Sequence, residues 1–158
     1  KKEKILKLKQ CLVLPVGIYS ESEMLLKFTL ECAKLNKNLN FIWRLHPIIN
    51  KERIFKNMKL NFDKLPHNIK FSNSTLTDDA KKCSHVLYRS SAAVLEAIKY
   101  GCYPLNYKDK KVNDFDVLKN FKTKTGNLGI GVLAVTPPER GKIENSQYSF
   151  KSIFKPLK

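Results

Sequence analysis

The sequence predicts an α/β fold: a parallel sheet with helices on both faces. Three observations predict it. Short apolar runs recur through residues 11–109, each bounded by Gly, Pro or polar residues. The runs are continuous rather than alternating, as in strands buried on both sides. Helical patterns stand between them, and such alternation builds crossover units around a parallel sheet.

The elements follow in order. Cys11–Val16 is the first strand and Gly17 ends it. Ser20 or Ser22 is expected to cap a helix over Glu23–Leu35, with Met24, Phe28, Cys32 and Leu35 as its apolar face. Asn40–Leu45 is the second strand, stopped by His46-Pro47, and Lys51–Met58 is a short helix. Asn68–Phe71 is the third strand, after a turn at Pro66. Thr77–Cys83 is helical, with Asp78 and Asp79 near its start, where the helix dipole favours carboxylates. His85–Tyr88 is the fourth strand. Ser91–Tyr100 is a helix closed by Gly101 at the C′ position. Tyr103–Asn106 is the fifth strand. Right-handed crossovers then give a Rossmann-like doubly wound sheet.

A chain of 158 residues and 18.2 kDa fits one domain. Residues 1–10 form a basic lead-in and 11–109 the Rossmann-like core. Residues 110–158 collect Gly, Pro and Lys and are expected to complete the domain as a basic extension. Within the extension, Asn127–Val132 is expected to be a strand and Thr136-Pro137-Pro138 a loop. No apolar run approaches the roughly 20 residues of a membrane helix. The N-terminus has neither a signal peptide's apolar segment nor an initiator Met, so the chain is expected to be a piece of a longer one. Cys11, Cys32, Cys83 and Cys102 are scattered, which argues against a disulfide framework and a Cys-rich zinc site. A reducing, cytoplasmic setting follows.

The net charge is +16, and all of the 30 basic residues except Arg44, Arg53, Arg89 and Arg140 are Lys. Such a balance attracts polyanions: nucleic acid, anionic lipid or a phosphorylated substrate. A lysine-rich composition spread over every solvated face is the plainer account of it. The lysines follow no stripe and are not interleaved with aromatics, as a nucleic-acid groove would want.

In a doubly wound sheet ligands sit at the carboxyl ends of the strands. After the first strand, Gly17 permits close approach of a ligand to the backbone. It is one Gly and not a G-x-G-x-x-G fingerprint, which disfavours a dinucleotide dehydrogenase. After the second strand, Arg44 and His46 set a guanidinium near an imidazole, a pair able to hold a phosphate oxygen. After the fourth strand, Arg89, Ser90 and Ser91 open the next helix, where hydroxyls, dipole and cation make an anion site. Glu96, farther along that helix, can accept from two ribose hydroxyls. Each feature also has a plain structural reading: a βα turn, a surface histidine, an N-cap, a solvated carboxylate.

In combination, Arg44-Leu45-His46-Pro47 and the run from His85 to Leu105 with its strand, double serine, helix, Gly and Pro resemble the donor-binding half of GT-B glycosyltransferases. The His-Pro pair and the double serine are similar to motifs of bacterial sialyl-, polysialyl- and Kdo-transferases and of teichoic-acid glycerophosphotransferases. The resemblance covers about residues 11–109. It implies CMP- or CDP-activated donors, with His46 on the donor phosphate or nucleotide, Ser90 and Ser91 on phosphate, and Glu96 on the ribose. Gly17, Arg44 and Arg89 join these from position and charge. It also implies a separate N-terminal domain that supplies the acceptor and the general base; no acid in this chain reads as that base.

The function expected is therefore nucleotide-sugar binding within a glycosyltransferase of bacterial surface polysaccharide synthesis. This chain alone is expected to bind donor without turnover. The nucleotide-activated sugar is a substrate, and neither a further cofactor nor a metal is expected. The placement expected is cytoplasmic, with peripheral contact to an anionic inner-membrane face. Two alternatives stand beside it: a UDP-sugar enzyme of the same fold such as a 2-epimerase, and a basic nucleic-acid module. The module would lose affinity steeply with salt.

Overall fold

The computed structural model describes residues 8–107. The lead-in through Lys7 and the extension, with the strand and loop expected in it, lie outside the described residues.

Five strands form one parallel sheet: β1 (Leu8–Leu14), β2 (Asn40–Trp43), β3 (Ile69–Phe71), β4 (Cys83–Tyr88) and β5 (Tyr103–Asn106). Their spatial order is β3-β2-β1-β4-β5. The central β1 pairs Leu12 with Ile42 on one side and with Val86 on the other. Between the strands run α1 (Tyr19–Leu35), α2 (Lys51–Asn57), α3 (Leu76–Lys82) and α4 (Val94–Lys99).

The two faces carry separate cores. Cys11, Val13, Phe41, Trp43 and Leu87 pack with Leu25, Leu26 and Ala33 of α1 and Ile54 and Phe55 of α2. Leu12, Leu14, Val86 and Tyr88 pack with Ala80 of α3 and Val94, Ala97 and Ile98 of α4. Successive residues of β1 feed opposite cores, so the run has to be apolar throughout. The result is the Rossmann-like doubly wound sheet that the sequence predicts.

Two boundary devices fix the frame. Gly101 has φ 86°, and the amides of Gly101 and Cys102 donate to the carbonyls of Ile98 and Ala97. That pair of bonds closes α4 as a Schellman motif, which requires a left-handed residue at Gly101. Asn68, just before β3, is buried, and its Nδ2 lies 3.0 Å from the carbonyl oxygens of Ala33 and Asn36 and 2.9 Å from that of Leu39. It thereby ties the end of α1 and the turn into β2 to the edge strand.

Several boundaries differ from expectation. β1 starts at Leu8, inside the expected lead-in, and ends at Leu14. β2 stops at Trp43, before Arg44 and Leu45. A 3₁₀ turn at Phe62–Lys64 has no counterpart in the sequence reading. Helix α1 starts at Tyr19, and neither Ser20 nor Ser22 caps it; the N-cap position is Ile18, with no side-chain bond. Ser22 instead lies inside the helix and donates back to the Val16 carbonyl. The buried face of α1 is Ser22, Leu25, Leu26, Thr29, Cys32 and Ala33. Leu35, expected to be buried, is exposed. Thr29 donates to the Leu25 carbonyl at 2.8 Å, so both hydroxyls enter the core with their bonds made.

Candidate functional site

The strand order changes direction at β1: the chain first builds outward through β2 and β3, then returns to add β4 and β5. The carboxyl ends of β1 and β4 therefore flank the topological switch point, where doubly wound sheets take their ligands.

On the β2 side, the loops after β1 and β2 are in contact. A Cβ built on Gly17 would lie 3.0 Å from His46 Nδ1, 3.1 Å from His46 Cε1 and 2.7 Å from Ile48 Cδ1. The absence of a side chain at Gly17 lets the imidazole lie against the backbone. The Ile48 amide reaches His46 Nδ1 at 3.4 Å. A neutral ring that accepts there carries its proton on Nε2, a donor. His46 is exposed to solvent. The same loops are tied again by the Asn50 amide, which donates to the Tyr19 hydroxyl at 2.9 Å. The Arg53 guanidinium lies 4.4 Å over the Tyr19 ring, a cation–π contact.

On the β4 side, Arg89 and Ser90 reach back to α1. Arg89 Nη1 donates to Glu21 Oε2 at 3.0 Å, and Ser90 Oγ donates to the same oxygen at 2.9 Å. Arg89 is buried. Its carbonyl accepts from Asn106 Nδ2 at 2.8 Å, which anchors the loop to β5. Asn106 is itself buried, and its Oδ1 has no hydrogen-bond partner among the described residues. Helix α4 begins only at Val94, so Ser90 and Ser91 precede it rather than open it. Ser91 Oγ accepts from the Ala93 amide at 3.3 Å and shapes the intervening turn.

The remaining expected residues take other partners. Arg44 Nη1 lies 3.2 Å from Asp79 Oδ2 and also donates to the Ser74 carbonyl. Ser72 donates its hydroxyl proton to the same Asp79 oxygen. Asp79 is thus the buried counter-ion of Arg44 rather than only a helix-start charge. Glu96 Oε1 accepts from Thr77 Oγ1 at 2.6 Å, which links α4 to the first turn of α3. The structure therefore brings Gly17 to His46, and Arg89 and Ser90 to Glu21. Tyr19 and Glu21 escaped the sequence reading because α1 starts four residues earlier than the expected Glu23, and Arg53 escaped it because its partner Tyr19 comes from that distant turn.

Among the described residues no group of three or more His, Cys, Asp or Glu is placed to hold a metal ion. All four cysteines are buried. Burial pushes the Cys11 and Cys32 thiols far above their usual range, which leaves them protonated and unreactive. Among the described residues no helix is long and apolar enough to cross a membrane.

Neither a protein-family model nor a curated protein matches the sequence. Solved structures do. The glycotransferase of kitacinnamycin matches with a TM-score of 0.52 at 13% identity, over 99% of this chain and 40% of that one. The glycosyltransferase SnogD from Streptomyces nogalater matches with a TM-score of 0.46 at 12% identity, over 92% of this chain and 37% of that one. What is shared with the kitacinnamycin glycotransferase is the fold. The chain spans about two fifths of the length of these structures.

Proposed function

We propose that this chain is the donor-binding half of a GT-B glycosyltransferase that builds bacterial surface polysaccharide from a CMP- or CDP-activated donor. The observation that carries the reading is the contact of the Gly17 backbone with the His46 imidazole at the carboxyl edge of the sheet. It sets an exposed imidazole beside the start of α1, where backbone amides favour anions.

In this reading His46 contacts the donor phosphate or nucleotide through its Nε2 proton. Ser90 and Ser91 offer hydroxyls to phosphate, and Arg89 supplies charge beneath them. Glu96, held by Thr77, accepts from the ribose hydroxyls. Arg44 sets the turn before α3 and acts on the site through it. The chemistry these groups serve is departure of a nucleotide. Donors aimed at the phosphate stabilise the charge that grows there as the glycosyl bond breaks. The acceptor and the general base come from a second domain outside this sequence. A charge of +16 supports peripheral contact with an anionic membrane face from the cytoplasmic side.

Amide chemical-shift mapping tests the proposal. Titration with CMP, CDP and UDP is expected to shift Gly17, His46, Ser90 and Ser91 together and saturably. Shifts spread over surface lysines and abolished by salt would contradict it and favour a nucleic-acid module.

A further inference from the structure

Glu21 stands in the first turn of α1 and Arg89 follows β4, so their ion pair bridges the crevice between the two central strands. A single carboxylate oxygen takes two donors, Arg89 Nη1 at 3.0 Å and Ser90 Oγ at 2.9 Å. Two convergent donors on one anionic oxygen is the arrangement a phosphate oxygen takes. The Glu21 side chain is 22% exposed and that of Arg89 4%, so the carboxylate lies on the solvent side of the guanidinium. Burying the Arg89 charge without a counter-ion would be costly, and the Glu21 carboxylate offsets that cost.

We infer that Glu21 is an internal stand-in for the ligand phosphate, displaced when a phosphorylated ligand binds. The inference rests on the donor-binding reading and adds to it a residue that sets which ligands enter. A phosphate or pyrophosphate carries more charge and more acceptor oxygens than a carboxylate and can take over both donors. The released Glu21 moves into water, to which its side chain is already partly open. A ligand without a phosphate offers no anionic oxygen to take over the Arg89 and Ser90 donors. Glu21 thus lowers affinity for every ligand and lowers it most for uncharged ones.

The test is calorimetric titration with CMP, CDP, UDP and inorganic pyrophosphate of the wild type, Glu21→Gln and Glu23→Gln. Glu23, on the same helix as Glu21, accepts from Asn57 of α2 at 2.8 Å, so its variant removes equal charge away from Arg89. Glu21→Gln is expected to bind pyrophosphate and the preferred nucleotide about tenfold more tightly, the scale of one charge-assisted bond no longer competing. Glu23→Gln is expected to match the wild type. Thermal melting without ligand checks that Glu21→Gln is folded; a lowered midpoint that pyrophosphate restores above that of the wild type supports displacement. A folded Glu21→Gln that binds no tighter than wild type overturns the inference while leaving the donor site standing. Equal tightening by both variants also overturns it, as an effect of net charge. Wild type that binds none of the four probes overturns this inference and the donor-binding reading together.

Discussion

The backbone of Gly17 and the imidazole of His46 lie so close that a methyl group at Gly17 would stand 3.0 Å from the ring nitrogen Nδ1. The neighbours it would meet are both side chains of an exposed loop, His46 and Ile48, and these can move. Gly17→Ala is therefore expected to displace the imidazole without unfolding the sheet. Nucleotide affinity should fall several-fold while the unfolding midpoint in urea changes by less than about 1 kcal/mol equivalent. Loss of stability of several kcal/mol, with affinity intact, would show that Gly17 serves the turn and not the ring.

Asn68 fastens the edge strand to its neighbours through its side-chain amide. Its amide serves three backbone carbonyls at the end of α1 and the turn beyond it. Asn68→Ala strands these carbonyls beside a small void and should cost about 2–4 kcal/mol. Urea denaturation should show a lower midpoint with an unchanged slope.

Lys59 has φ 53°, and the Leu60 amide bonds to the Phe55 carbonyl at 2.9 Å. A lysine thus fills the left-handed position that ends α2, a place that favours glycine. Lys59→Gly should raise stability by about 0.5–1 kcal/mol, read by the same denaturation experiment. No change in ligand binding is expected.

Burial raises the Cys11 and Cys32 thiols in the folded chain above their ordinary value of 9.0. Above that value the unfolded chain loses protons that the folded chain keeps. The contribution of these thiols is therefore level below about pH 9 and falls as pH rises, by about 1.4 kcal/mol per unit for each thiol. Cys11→Ala with Cys32→Ala should flatten the fall in stability measured between pH 9 and 11, within the ordinary range of thiol titration. An unchanged slope would assign the alkaline loss to other groups.

How much of this was legible in the sequence depends on the range of the forces involved. The strand Tyr103–Asn106 and its preceding Gly101 were readable because an apolar run and a left-handed stop are local facts. The buried face of α1 was not. Ser22 and Thr29 look polar in a sequence, and only their bonds to backbone carbonyls make them core residues. The candidate site divides in the same way. Gly17, His46, Arg89 and Ser90 were candidates because they follow strands and carry the right chemistry, and the structure sets them after β1, β2 and β4. The partners that determine their state, Glu21 for Arg89 and Asp79 for Arg44, come from distant segments. Neither pairing has a periodic signature, since each depends on which strands become neighbours.

The central claim is that the carboxyl edge of this sheet holds a nucleotide through His46. Calorimetric titration of wild type and His46→Ala with CMP, CDP and UDP at low and high salt tests it most directly. The account predicts saturable binding of one cytidine nucleotide, weakened about tenfold or more by His46→Ala and changed little by salt. Binding that is equal in both proteins, or that vanishes as salt rises while DNA or RNA binds tightly, would contradict it.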